Sequence, residues 1–238
     1  MTKTADITIR RSNERGHADH GWLDTYHTFS FAGYHDPAHM NFGPLRVLNQ
    51  DRVAPGRGFG THPHRDMEIV SYVLEGTMEH RDSMGTGSQM RPGDVQFMSA
   101  GTGVQHSEFN ASDAEELHFL QMWVIPAKDG TEPRYGQKAF SREERQGTLR
   151  LVVSPDGADG SLQIGQDARL YAGLFAPGEE ATQTLDAGRG AYLHVATGSI
   201  ELDGTKLGPG DGAEIMNGDG FVVHGLEDAE IVVWDVPA

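Results

Sequence analysis

The sequence predicts an all-β protein made of two duplicated β-barrel domains. Three observations carry that reading. Short β-branched and aromatic runs recur between Gly and Pro turn signals, helical periodicity is scarce, and the two halves of the chain echo each other. The runs are "LRVLN", "MEIVSYVLEG", "GDVQFMSAG", "LHFLQMWVI", "LRLVVSPDG", "RLYAGLFAPG", "AYLHVATGSIEL", "FVVHGL" and "AEIVVWDV". Each has the length and composition of a strand, and 31 glycines supply the punctuation. One polar stretch, "SREERQG" at 141–147, breaks the rhythm as a helical turn or linker. The domain boundary falls beside it, dividing the chain into 1–143 and 144–238.

The echo is specific. "SYVLEGTMEHRD" (71–82) is followed by "MRPGDVQFMSAG" (90–101), and "LHVATGSIELDG" (193–204) by "LGPGDGAEIMNG" (207–218). Each reads as a strand, a glycine turn, a second strand, a Pro-Gly-Asp turn and a third strand. Proline presets φ and glycine tolerates positive φ, so Pro92-Gly93-Asp94 and Pro209-Gly210-Asp211 set the same tight reversal.

Composition narrows the function classes. A chain of 238 residues has ample material for a stable core. It offers no stretch near the roughly 18 apolar residues of a membrane span. "MTKTADITIRR" carries charges where a signal peptide needs an apolar run, so the expectation is a soluble cytoplasmic protein. The formal charge of −16 and the lack of a Lys/Arg cluster argue against nucleic-acid binding. There is no cysteine, which removes disulfides, thiolate zinc sites and iron–sulfur clusters together. A bound metal must therefore be held by imidazole and carboxylate.

Histidine is distributed unevenly. Of 12, ten lie at or before residue 118, and only His194 and His224 lie in the second half. Within "GTHPHRDMEIV" (60–70), His62 and His64 have the i, i+2 spacing that puts both rings on one face of a strand. His106 and Glu108 in "AGTGVQHSEFN" repeat that spacing. Two such segments can assemble three imidazoles and one carboxylate, a mixed set that suits iron(II) or a close relative and that zinc would also accept. Glu68 shares the parity of 62 and 64 if the chain stays extended, and is the competing carboxylate or else an outer hydrogen-bond or salt-bridge partner of the site. His80 in "EHRDS" reads as an exposed turn residue, and His118 as a core histidine. The aromatic residues Trp22, Tyr26, Phe29, Phe31 and Tyr34 could wall an apolar pocket, although plain packing of that arm is the simpler reading.

The same residues carry a family resemblance. "GRGFGTHPHRDMEIVSYVLEG" and "PGDVQFMSAGTGVQHSEFN" resemble the paired cupin motifs through Gly56, His62, His64, Glu68 and Gly76, then Gly93, Gly101, His106 and Asn110. The departures are an extra residue between Glu68 and Gly76, Ser99 in place of the motif proline, and two extra residues before His106. That pattern, with "EHRDSMG" and the opening "NERGHADHGWLDTYHTFSFAGYHDP", is similar to the pirin branch of cupins, densely from about 10 to 135. The resemblance implies a bicupin (jelly-roll, double-stranded β-helix) fold. It implies one divalent metal, usually iron, at His62, His64, His106 and Glu108, with Ni, Co, Cu, Mn and Zn also tolerated by such ligands, and a second barrel without metal. "FAPGEEATQTL" (175–185) lacks a histidine pair where that barrel would need one.

For function, the resemblance implies a quercetin 2,3-dioxygenase, which opens a flavonol with O2 and releases carbon monoxide, with Glu108 as base. Phe59, Met98 and Phe109 are the nearest candidates in sequence to sandwich a flat ligand. A metal-dependent redox-sensing or regulatory protein, and a cupin enzyme for another small aromatic or sugar substrate, are the alternatives. Two barrels on one chain meet the usual need for cupin pairing, so a monomer is expected.

Overall fold

The structure is a computed structural model that describes residues 5–237. The first strand is β1 (Asp6–Arg10). It is followed by β2 (Gly16–Asp19), β3 (Leu23–His27), β4 (Leu45–Val53), β5 (Gly58–His64), β6 (Glu68–Glu75) and β7 (Met78–Asp82). Next come β8 (Gly87–Met90), β9 (Asp94–Ser99), β10 (Val104–Asn110), β11 (Leu117–Val124) and β12 (Arg134–Ala139). A single helical turn, α1 (Arg142–Arg145), stands where the polar stretch broke the strand rhythm. A capping box starts it: Ser141 Oγ accepts from the Glu144 amide, and the Glu144 carboxylate accepts from the Ser141 amide. The later strands are β13 (Arg150–Ser154), β14 (Leu162–Gln163), β15 (Arg169–Phe175), β16 (Glu180–Thr184) and β17 (Arg189–Thr197). They end with β18 (Ile200–Leu202), β19 (Thr205–Leu207), β20 (Gly212–Met216), β21 (Gly220–Gly225) and β22 (Ala229–Pro237). Among the described residues, no helix is long and apolar enough to cross a membrane.

Two compact units result. One comprises 16–139 with 164–166, and the other 5–15, 140–163 and 167–237. Each holds a seven-stranded and a four-stranded sheet, in the orders β12-β9-β6-β11-β4-β3-β2 with β5-β10-β7-β8, and β1-β20-β17-β22-β15-β13-β14 with β16-β21-β18-β19. These are jelly-roll sandwiches of two open sheets rather than barrels closed by hydrogen bonds. In the first unit Met78 and Met90 of the small sheet pack with Val73, Leu117 and Phe119 of the large one. In the second, Ile200, Leu202, Phe221 and Val223 meet Leu193, Val195, Ile231 and Val233. The small-sheet strands β10 and β21 alternate because one face of their sheet is buried against the large one, whereas β6, β11 and β17 of the large sheets are buried along nearly their whole length.

The duplication extends to single atoms. In both Pro-Gly-Asp turns the glycine has positive φ, at 88° for Gly93 and 82° for Gly210. Each aspartate amide closes the turn onto the residue before the proline, and each aspartate side chain accepts from that same residue's amide. The hairpin glycines Gly76 (φ 80°) and Gly198 (φ 66°) also correspond. A Cβ would stand 2.6 Å from the Glu116 carbonyl oxygen at Gly76 and 1.9 Å from that of Asp228 at Gly198. Gly198→Ala is therefore expected to destabilise the protein by on the order of 2–3 kcal/mol in denaturant unfolding, through strained φ and a backbone collision together. A loss under about 0.5 kcal/mol would contradict this.

The copies diverge inside. Where β5 and β10 lie in the first unit, the second has β16 and β21, whose Phe221 and Val223 belong to the apolar core with Ala181 packed against it. Among the described residues, clusters of three metal-ligating side chains occur only around His106 in the first unit.

Candidate metal centre

The centre is built on the antiparallel pair β5–β10. Their register sets His62 opposite His106 and His64 opposite Val104, and a bulge after His106 then brings Phe59 opposite Glu108. Along β10 burial alternates strictly, with Val104, His106, Glu108 and Asn110 inward. β5 is the edge strand of its sheet, where Pro63 and its missing N–H are tolerated. The ring centroids lie 4.5 Å (His62–His106), 4.8 Å (His62–His64) and 4.8 Å (His64–His106) apart. Trp123 of β11 braces His64 edge-on at 4.9 Å.

Proton positions follow from the partners. His62 Nδ1 lies 2.8 Å from the Gly60 carbonyl, which only accepts, so the proton is on Nδ1 and the Nε2 lone pair points inward. His106 Nε2 is 3.0 Å from that nitrogen. Burial, followed by the proximity of His62, holds His64 at a pKa of about 4. Burial, followed by the neighbouring His62, His64 and His80, holds His106 at about 2. His62 with its inward lone pair, and His64 and His106 held neutral by burial, form a convergent set that fits a divalent first-row metal.

Glu108 stands beside this group. Ligating atoms of His62, His64 and His106 lie within 4.8 Å of one another, and so do those of His80, His106 and Glu108, so Glu108 joins the three imidazoles through His106. Its Oε2 accepts from Gln121 Nε2 at 2.7 Å, and its Oε1 accepts from Ser71 Oγ at 3.1 Å and Gln96 Nε2 at 3.2 Å. Those donors belong to one transverse row of the large sheet, running in register through His27, Asn49, Gln121, Ser71, Gln96 and Gln137. Burial outweighs these donors and raises the Glu108 pKa to about 7, with Asp51 adding to the rise.

These shifts set a pH dependence. His64, His106 and His118 (held near 4 by burial and then Arg52) take up protons in the unfolded chain below their ordinary 6.5, but not in the folded one until much lower pH. Stability from these imidazoles is complete above about 6.5 and is lost as pH falls towards 4. Glu108 has the opposite sign: between 4.5 and about 7 only the folded state holds its proton, so its contribution falls as pH rises. Three imidazoles outweigh one carboxylate, so the melting temperature of metal-free protein should climb between pH 4.5 and 6.5. A flat or falling profile would refute this balance.

Several sequence expectations are corrected. Glu68 does not share the histidine face, because Asp66 at φ 47° turns the chain between β5 and β6. The Glu68 carboxylate instead accepts from Ser99 Oγ at 2.6 Å and abuts Gly165. His80 is not exposed; it is fully buried in β7, with Asp82 beside it. The i, i+2 alternation Met78–His80–Asp82 was the signal that could have found it. His118 is a buried histidine, as expected.

A cavity of about 470 Å³ opens onto the centre. Trp22, Phe31, Phe59 and Trp123 form its apolar wall, and Thr25, Asn49, Asp51 and Gln121 a polar strip. Of the aromatic arm, only Trp22 and Phe31 line it; Tyr26 stacks on His17 at 4.4 Å, and Phe29 is core. Met98 is also core, and Phe109, of outward parity on β10, is 39% exposed, so of the three sandwich candidates only Phe59 reaches the cavity.

Comparison with known proteins adds sequence and fold relatives. Residues 8–124 match the Pirin family, and residues 151–236 match the quercetinase C-terminal cupin domain. The chain is 46% identical to a quercetin 2,3-dioxygenase of Escherichia coli (strain K12) over 97% of this chain and 99% of that protein. It is 43% identical to a pirin-like protein of Caulobacter vibrioides, over 92% and 95% of the two chains. Among solved structures it is similar to E. coli YhhW, with TM-score 0.93, 46% identity and 98% of each chain covered. A second structure, of bacterial pirin YhhW from E. coli in complex with nickel(II), gives TM-score 0.92 at 46% identity, over 98% and 99% of the chains.

Proposed function

The chain belongs to the pirin family of cupin proteins, and from that premise we propose that it is a metal-dependent dioxygenase that cleaves the flavonol quercetin with O2 and releases carbon monoxide. His62, His64 and His106 would hold one divalent metal, iron(II) being our assignment, with Glu108 as the carboxylate of the site. The observation that carries the reading is the convergence of three imidazoles beside a buried carboxylate, at the end of an aromatic-walled cavity.

A divalent ion held by these residues would supply Lewis acidity towards a substrate oxygen. The protein does the rest. Glu108, raised to about 7, takes the proton of the flavonol 3-hydroxyl, which makes the ring electron-rich. Ser71, Gln96 and Gln121 fix the direction of its carboxylate and stabilise the ionised form before transfer. Trp22, Phe31, Phe59 and Trp123 can cover the faces of a flat aromatic substrate and exclude water.

The test is oxygen uptake with quercetin, with carbon monoxide measured in parallel, for iron-loaded and chelator-stripped protein. The loaded protein should consume oxygen and release the gas. Equal turnover by stripped protein would end the proposal, and a panel of other hydroxylated aromatics would expose a different preferred substrate.

A further inference from the structure

Two buried side chains on β7 have no role in the reading above, yet they touch the centre. The strand β7 pairs with β10 so that Asp82 lies opposite His106, and His80 opposite Glu108. Both side chains are sealed from solvent. His80 Nε2 is 3.1 Å from Asp82 Oδ2, and His80 Nδ1 is 3.5 Å from His106 Nδ1. Asp82 Oδ1 is committed elsewhere, accepting from the amides of Met84 at 2.9 Å and Thr86 at 3.0 Å. Tyr135 stacks on the His80 ring at 4.9 Å and 26°, which holds its plane.

We propose that Asp82 and His80 are positioning residues that fix the tautomer of His106 so that its Nε2 presents a lone pair to the metal. The inference rests on the metal site of the preceding section. The placement of each proton decides the tautomer. A carboxylate only accepts, so His80 carries its proton on Nε2 and keeps a lone pair on Nδ1. That lone pair accepts the Nδ1 proton of His106, which leaves His106 Nε2 bare. His62 Nε2 is bare for a separate reason, its bond to the Gly60 carbonyl. Two lone pairs then face each other 3.0 Å apart, an arrangement that repels until a cation lies between them. Residues outside the ligand set thereby pre-form the cation site, through outer hydrogen bonds that orient and tune a ligating imidazole.

This placement predicts the effect of a near-isosteric change. In Asp82→Asn the amide oxygen must stay on the Met84 and Thr86 amides, so the amide NH2 faces His80. His80 then accepts at Nε2 and carries its proton on Nδ1, and His106 must move its own proton to Nε2, into the metal position. His80→Gln preserves the original polarity, since its amide can donate to Asp82 and accept from His106.

Two readouts test this on the full chain. Long-range proton–nitrogen correlation spectra of metal-free protein should show His106 protonated at Nδ1 in wild type and at Nε2 in Asp82→Asn. Competition with a chromophoric chelator should show nickel(II) affinity about 10- to 100-fold weaker in Asp82→Asn, and within threefold of wild type in His80→Gln. A merely structural role predicts the reverse order, because His80→Gln loses more packing. That reverse order, an unchanged His106 tautomer in Asp82→Asn, or a doubly protonated His80 in wild type would overturn the proposal. If Asp82→Asn does not fold, His80→Gln against His80→Leu carries the test: the glutamine variant must bind nickel(II) at least tenfold more tightly, and equal affinities overturn it. Wild-type protein that binds no metal would sink the metal reading, while the spectra of metal-free protein would still decide the tautomer.

Discussion

His106→Ala is expected to cost the protein its metal and, with it, all quercetin-dependent oxygen uptake. His106 is the hub of the site: it is 3.0 Å from His62 Nε2, belongs to both ligand clusters, and links the imidazoles to Glu108. Removing one of three nitrogens should weaken metal binding by well over about 100-fold, beyond what loss of an outer hydrogen bond costs. Wild-type protein at a metal concentration 100 times its dissociation constant should gain about 2.7 kcal/mol of stability, and the variant at the same concentration less than about 0.4 kcal/mol. Metal analysis of purified protein and melting curves with and without iron check both statements. A variant that keeps a full complement of metal would remove His106 from the ligand set.

Glu108→Gln is expected to leave the pocket shape intact and remove the base. The substituted side chain nearly matches the volume of the carboxylate, so substrate affinity should change little while kcat falls by about 10²–10⁴-fold. Metal uptake gives an independent reading. Below about pH 7 Glu108 of the metal-free protein holds a proton that a cation must displace, so metal affinity should rise with pH up to about 7 and then level. His64 and His106, already neutral over that range, add nothing to the slope. Glu108→Gln should flatten it. A variant with wild-type kcat, or an undiminished pH slope, would show that Glu108 neither takes the substrate proton nor meets the metal.

The parts of the site that were legible in the sequence depend on local periodicity. His62 and His64, like His106 and Glu108, are separated by two on strands, and alternation alone turns each pair inward. The Pro-Gly-Asp turns made the duplication readable for a similar reason, since a reversal demanding positive φ selects its own residues. Where the reading failed, a local geometry hidden from composition intervened. Asp66 adopts a left-handed conformation that few residues besides glycine, asparagine and aspartate take up, and it breaks the parity that would have joined Glu68 to the histidines. The charged neighbours of His80 suggested solvent, yet Glu79 and Arg81 face outward precisely as alternation requires, paired with each other at 2.7 Å, while His80 and Asp82 are sealed inside. The transverse polar row beneath Glu108 was not legible at all, because its members come from separate strands whose register is set only when the sheet assembles.

The place of β1 has a consequence for biosynthesis. Its residues Asp6–Arg10 hydrogen-bond to β20 at Gly212–Met216, and Ile7 and Ile9 lean on the core of the second unit. Its partner strand lies far along the chain, so the pairing is strongly non-local and must wait until β20 has been made. Its brevity and the flanking charges of Asp6 and Arg10 keep the waiting strand from recruiting neighbours. A deletion that removes β1 would thus disturb the sandwich that holds no histidine pair, at a distance along the chain from any ligand.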